Sequence, residues 1–566
     1  MRRCRNVIDR IICVERATQG TELADISKTE RLRVLLGKGF FPEELPPPFN
    51  TNDLAHFRKY VWDNWPQQPQ QKPPKTIPEI YSIQRLGWKR RSLSIVNPIS
   101  QFFLSKKISD DWVQIKKHLA LGTASLDHAY LQKDSGRAVP KPDFSKIEFM
   151  KLKAGGDFDH ILISDISRYY GTIYTHVLPW ALHGKAWCKL HVNSPLLKAT
   201  LGSELDQLVR KGQDNQTIGI PIGPDTSRIL SEVIAVALER RFFELSPEAR
   251  GCAHRFVDDW FVGHNTAKSA EAAISGLAQA CAEFELELNL EKTSVIDAKG
   301  EIMETWPSDL LAHAVPNEIT NDQTKHLNRF FSQAFSLANA HPSSNVMDYA
   351  LKVARSFRIS KRSYPLFESF VLRAARAYPI TLPVVTQILV NYRLQGAPIS
   401  IDRCRKLIED ELSKSVALRH TAEVAWVIFL AKALRVKLSV ETLKSICAVD
   451  NSVWALLVLD LEEQGLIDGN LDKTYWQSLL TRDNLTASCW LLAYEAHLKG
   501  WLTPVDINFV DDHDWFKVLK AKKISFYNTR RNVETFKKSK EKSAAIARHR
   551  RAASNWLTYF FSRTSI

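Results

Sequence analysis

The stretch HRFVDDWFVGH, running from His254 to His264, sets two aspartates, Asp258 and Asp259, side by side inside an apolar run. Two carboxylates in such a setting are costly unless a cation binds them. The flanking Phe256, Val257, Trp260, Phe261 and Val262 argue against an ordinary solvated turn and predict a β-hairpin with the acids at its tip. Upstream, HILIS (His160–Ser164) reads as a short buried strand that ends at Asp165. Gly223-Pro224-Asp225-Thr226 supplies a turn and a helix start. The apolar stripe Ile229, Leu230, Val233, Ile234, Ala237 and Leu238 predicts a helix over 226–243. A second helix is predicted over 267–285 from Ile274, Leu277, Cys281 and Phe284. If the two strand units are antiparallel neighbours, Asp165, Asp258 and Asp259 converge. Hard oxygen ligands brought together from separate elements suit a two-metal phosphoryl-transfer site, with Mg2+ (or Mn2+) as the ion.

Outside this stretch, 77 Lys and Arg against 62 Asp and Glu give a formal charge of +15, which favours a polyanionic partner, nucleic acid before a membrane surface. The eight cysteines form no CxxC pair, so a zinc site or a disulfide framework is not expected. The basic N-terminus carries no long apolar run; no signal peptide or membrane span is expected, and a reducing cytoplasm fits. PQQPQQKPPK at 66–75 reads as an extended linker. Beyond about 310 the strand signals stop. VAWVIFLAKAL, SVWALLVLDLE and SCWLLAYEAHL form a weak repeat around Trp426, Trp454 and Trp490, which predicts a HEAT-like α-solenoid over an irregular bundle. Between Lys517 and Arg551 there are 13 Lys or Arg against Glu534 and Glu541. With Phe526, Tyr527 and Phe536 interleaved, that segment reads as a tail able to track single-stranded nucleic acid, or as a solvated basic helix. The expected units are an N-terminal extension and linker (1–75), an α+β catalytic unit (76–310), an all-α repeat domain (311–516) and a basic tail (517–566).

Four motifs stand in order. DISRYYGTIYTH at 165–176, GIPIGPDTSR at 219–228, FVDD at 256–259 and FELELNLEKT at 284–293 resemble motifs A to D of reverse transcriptases. GKGFFPEELPPPFNT at 37–51 and SIVNPISQ at 94–101 are similar to the N-terminal region and fingers of bacterial abortive-infection and defence-associated reverse transcriptases of the AbiK and AbiA kind, relatives of group II intron enzymes. The motifs cover about 37–300. The resemblance implies a right-hand fingers–palm fold, a helical repeat domain after it, and a DNA polymerase in anti-phage defence that is RNA-directed or template-independent. It implies that Asp165 and Asp258 bind both metals, with Asp259 in support and the Ile166 carbonyl completing the coordination. Tyr170 then matches the gate against a 2′-hydroxyl, Gly223 lets backbone approach nucleotide or template, Lys292 lies near the leaving phosphates and Arg137 grips the triphosphate. The partners implied are dNTPs, a single-stranded DNA product or RNA template, a noncoding RNA, and further copies of the chain. Two positions depart from the pattern. Ile222 stands where glutamine usually precedes the motif B glycine, and Phe256 replaces tyrosine in motif C. The first hints at relaxed template contact, and AbiK-type enzymes are associated with protein-primed synthesis. Tyr349, Tyr364, Tyr378, Tyr392, Tyr475, Tyr494, Tyr527 and Tyr559 are candidate priming hydroxyls, Tyr527 first because the tail carries it. A retron or intron-type enzyme, an RNA polymerase and a catalytically idle nucleic-acid scaffold are the alternatives; the helical second half disfavours the first, Tyr170 the second, and the intact acid trio the third.

Overall fold

β-Branched and apolar residues in HILISD give a buried strand, and the apolar arms of HRFVDDWFVGH give two more beside it. In the computed structural model, which describes residues 26–66, 72–85, 87, 89–141, 144–300, 302–316, 321–536 and 538, these lie in one antiparallel sheet. Residues 67–71 of the Pro/Gln stretch, and Tyr559 in the tail, lie outside the described residues. A separate hairpin pairs β1 (Glu79–Gln84) with β2 (Arg90–Ile95). The main sheet contains β3 (His160–Asp165), β4 (Ala253–Phe256), β5 (Asp259–His264) and β6 (Ser294–Asp297) in the order β4-β5-β3-β6. Helix α1 (Asp225–Leu245) packs against α2 (Ala267–Glu283), and α2 lies against β3 and β5. Thr266 caps α2 by accepting from the Ser269 N–H.

The predicted stripe of α1 is buried, but so is much of its other side. Asp225, Ser231, Glu232 and Glu239 are all nearly inaccessible. Buried polar groups must be hydrogen-bonded, and each of these ties α1 to a segment packed against it.

Two described parts of the chain that are far apart in sequence share one apolar core. Residues between Leu36 and Phe102 pack with residues between Trp306 and Tyr527. Phe41 meets Trp490 and Phe526 at ring-centroid distances of 6.4 and 6.1 Å. The helices α3 (Thr421–Leu434), α4 (Ser452–Glu463) and α5 (Trp490–Lys499) pack in succession. Their repeat tryptophans each donate an indole N–H: Trp454 to the Thr421 carbonyl (2.9 Å), Trp426 to Glu44 (2.9 Å) and Trp490 to Ile95 (3.3 Å). Two of the three therefore bind N-terminal segments as well as stacking helices. Strands do not stop entirely after 310: β7 (Leu438–Ser439) pairs in parallel with β8 (Ile467–Asp468).

The placement of Tyr527 on a solvated tail is corrected. Ile524, Phe526 and Tyr527 are buried in this core, and the Tyr527 hydroxyl donates to Asp460 Oδ2 at 2.6 Å. Lys432 completes that cluster through Asp460. Burial, then the Asp460 charge, pushes the Tyr527 phenol well above its ordinary value. The first charges of the supposed tail are also engaged, Lys517 with Asp514 and Lys520 with Asp511. Apolar side chains between 524 and 527 had a core to join, and their burial outweighs the solvation of the cations around them.

Candidate active site

The hairpin β4–β5 turns through Val257 and Asp258, with Phe256 opposite Asp259. On its other edge β5 pairs with β3 so that Asp259 stands directly across from Asp165. The sheet thus brings the three acids together, two across strands and one on the turn. Tight hairpin turns need positive φ, usually supplied by Gly or Asn. Here Val257 adopts φ 56°, a conformation that costs a β-branched residue about 1–3 kcal/mol. Arg255 holds it by donating from Nη1 to the Val257 carbonyl at 3.0 Å.

Asp165 is buried, Asp258 half-buried and Asp259 open to solvent. Burial, then the charges of Asp259 and Asp165, pushes the Asp258 carboxyl up to about 7. Loss of water around its carboxyl, then the Asp165 charge, raises Asp259 as well, although the residue as a whole stays exposed. The trio is under like-charge stress, which a cation would relieve. Lys292 supplies part of that charge, its Nζ lying 2.7 Å from Asp165 Oδ2. The hydrogen bond to Asp165 raises the Lys292 pKa, so the ammonium stays charged. Asn289 donates its backbone N–H to the Asp165 carbonyl (2.7 Å) and its side-chain amide to Oδ2 (3.2 Å).

Sequence reasoning missed the other cations. Arg91, on β2, and Arg85, just after β1, act electrostatically on Asp258, and Lys151 acts on Asp259. Successive residues of a strand point to opposite faces. Arg90 accordingly turns away and binds Glu423 through two bonds of 2.8 Å, which anchors the hairpin to α3, while Arg91 stays exposed. The Arg90-Arg91 pair was the only signal in the sequence.

Ile166 follows Asp165 as a buried residue fixed by a bridge to Leu288. Tyr170 is partly buried, and its hydroxyl accepts from Ser231 Oγ at 3.0 Å. The neighbouring Tyr169 donates to the Ser231 carbonyl at 2.6 Å, so α1 carries both rings. Gly223 has φ +126°, and a Cβ there would lie 2.7 Å from Pro42 Cγ. The crowding that demands glycine here comes from Pro42. Arg137 also differs from expectation. It pairs with Asp225 at 2.6 Å and donates to the Phe41 (2.7 Å) and Gly223 (2.9 Å) carbonyls, with its side chain 14% exposed. It clamps the start of α1 and is not a free cation for a triphosphate. Ile222 packs partly buried against the large helical core while its carbonyl accepts from the Ser94 N–H at 2.7 Å. An apolar side chain suits that contact.

Among the described residues no group of three or more His, Cys, Asp or Glu side chains is drawn together as a metal cage. An open set is still compatible with Mg2+, which takes one or two carboxylates and leaves its other positions to water and substrate phosphates. The crowding at Asp258 is the kind of stress such an ion would relieve, and Asp165, Asp258 and Asp259 are the side chains that would hold it. No described helix is long and apolar enough to cross a membrane.

Neither a family model nor a curated protein matches this chain. Among solved structures, the telomerase of Candida albicans in complex with a TWJ fragment of telomeric RNA is similar at 11% identity and a TM-score of 0.28, over 66% of this chain and 69% of that one. A likeness at that level carries no argument.

Proposed function

We propose that the chain is a metal-dependent nucleotidyltransferase that adds deoxynucleotides to a hydroxyl and releases pyrophosphate, a DNA polymerase of the reverse transcriptase kind. The observation that supports this most is the register that sets Asp259 across from Asp165 with Asp258 on the adjoining turn, its carboxyl pushed up to about 7. Asp165 and Asp258 hold the ions, Asp259 supports them, and the Ile166 carbonyl completes the set. Two Mg2+ ions, or Mn2+, supply a lowered pKa at the attacking hydroxyl and charge neutralisation at the leaving pyrophosphate. Arg85, Arg91 and Lys292 bring cationic groups to a triphosphate placed over the acids, the part first expected of Arg137. Tyr170, fixed through Ser231, fills the volume that a 2′-hydroxyl needs. The net charge of +15 suits a nucleic-acid product or template. The role in anti-phage defence rests on the motif resemblance.

Protein priming needs an accessible hydroxyl. Tyr364, Tyr392, Tyr494 and Tyr527 are buried, whereas Tyr475 is 42% exposed. Tyr475 therefore replaces Tyr527 as the first candidate among the described tyrosines. The test of the function is incorporation of labelled dNTPs by the purified chain with Mg2+. Incorporation that needs the metal and is lost in Asp165→Asn supports the reading; folded protein that incorporates nothing, or an active Asp165→Asn, rejects it.

A further inference from the structure

Beneath the acids lies a charge cluster that takes no part in the proposed chemistry. Arg255 is fully buried on β4, two residues before Val257 begins the turn. Its Nη2 and Nη1 donate to the two carboxylate oxygens of Glu232, at 2.7 and 3.0 Å. A second carboxylate, Glu239 Oε2, stands 3.5 Å from Nη2. Glu239 in turn accepts through Oε1 from the backbone N–H groups of Thr123 and Ala124, the latter at 2.8 Å, and from the Thr123 hydroxyl. The Arg255 backbone pairs with the same loop, its N–H donating to the Ala124 carbonyl (2.8 Å) and its carbonyl accepting from Leu126 (2.9 Å). The guanidinium also donates to the Val257 carbonyl at 3.0 Å and lies over the Trp260 ring, 5.8 Å from its centroid. Through its guanidinium Arg255 joins α1 to the strained residue next to Asp258, and through its backbone and Glu239 it holds the 123–126 loop.

We propose that Arg255 is a positioning residue: with Glu232 and Glu239 it fixes the Val257–Asp258 turn, and through that turn it sets the affinity of Asp258 for a divalent cation. The inference rests on the acids being metal ligands. Burying three charges is costly, and a guanidinium's planar fork can serve two carboxylates and a carbonyl together where an ammonium cannot. The arrangement also couples the hairpin to Tyr170, because Glu232 adjoins Ser231 on α1. Asp258 and Tyr170 are therefore referred to the same turn of one helix.

The test uses the full chain, as wild type and as Arg255→Met, Arg255→Lys and Asp258→Asn. Two quantities are measured: hydrogen exchange of the 255–260 backbone and binding of Mn2+ by electron paramagnetic resonance. Residues that orient a metal ligand typically change affinity about 10- to 100-fold when replaced. Arg255→Met is expected to weaken Mn2+ binding by that factor and to speed exchange at the turn, with Arg255→Lys between it and wild type. In activity, the loss falls on kcat more than on the nucleotide KM and is partly recovered by raising Mn2+. Slow exchange at 255–260 together with wild-type Mn2+ affinity in folded Arg255→Met overturns the proposal. If Arg255→Met does not fold, the same result in Arg255→Lys overturns it. Wild-type Mn2+ affinity in Asp258→Asn rejects the metal reading separately, and removes with it the affinity part of the proposal; the exchange measurement still decides whether Arg255 fixes the turn.

Discussion

Replacing Asp258 by asparagine removes one of the acids that the fold crowds together, so the variant should lose activity and gain stability. The Asp258 carboxyl stands at about 7 against an ordinary 3.8. Each pKa unit corresponds to about 1.4 kcal/mol, which sets a ceiling of roughly 4 kcal/mol on the cost of ionising it in the fold. Partial solvation and the sharing of repulsion with Asp259 and Asp165 reduce this to about 1–2 kcal/mol. The folded chain binds this proton more tightly than the unfolded chain does, so the cost is fully present above pH 7 and fades as the pH falls towards 4. Asp258→Asn should therefore melt above wild type at pH 8 by roughly 1–2 °C for a chain of this length, with the gap narrowing through pH 5. Added Mg2+ should raise the wild-type Tm, since a ligand that binds only the folded state stabilises it, and should leave the variant unmoved. Thermal melts at the two pH values, with and without Mg2+, read all of this. A variant that melts at or below wild type at pH 8 would refute the reasoning, because the acids would then not be under electrostatic stress.

Tyr170→Ala should admit ribonucleotides, seen as a fall in the dNTP-over-rNTP ratio of kcat/KM; an unchanged ratio would place sugar selection elsewhere. Gly223→Ala should cost about 1–3 kcal/mol in a denaturant titration, because its φ of +126° is strained for alanine and its Cβ meets Pro42; a neutral effect would reject that account. Truncation after Phe516 should unfold much of the helical core by removing Ile524, Phe526 and Tyr527, each worth about 1.5–3 kcal/mol of burial. Truncation after 538 should, if the distal cations bind single strands, lower the logarithmic salt slope of binding by about 0.7 for each phosphate no longer neutralised.

The sequence made the sheet legible because its signals are local. Two acids in apolar arms can hardly form anything but a hairpin tip, and a strand ending in a third acid has one sensible neighbour. The clamp around Arg255 was not legible, because Glu232 and Glu239 sit on a helix whose apolar stripe explains its burial without them. Which polar residues go inside is decided by tertiary partners, as Glu232 finds Arg255 and Asp225 finds Arg137. Arg137 and Tyr527 show the converse error. Each has a residue type suited to a mobile contact with substrate, and each is spent on buried carboxylates. The shared core of 36–102 with 306–527 was hidden for a similar reason: Phe40, Phe41 and the repeat tryptophans are apolar signals with no indication of partner.

The central claim is that Asp165, Asp258 and Asp259 carry nucleotidyl transfer, and pyrophosphate release tests it most directly. Purified chain, dNTPs and Mg2+ should yield pyrophosphate in step with nucleotide incorporated, and chelation should stop both. Asp258→Asn, though folded and more stable at pH 8, should fall by about two to three decades, the worth of one such electrostatic contact at roughly 3–4 kcal/mol. Pyrophosphate release at the wild-type rate by that variant would contradict the account.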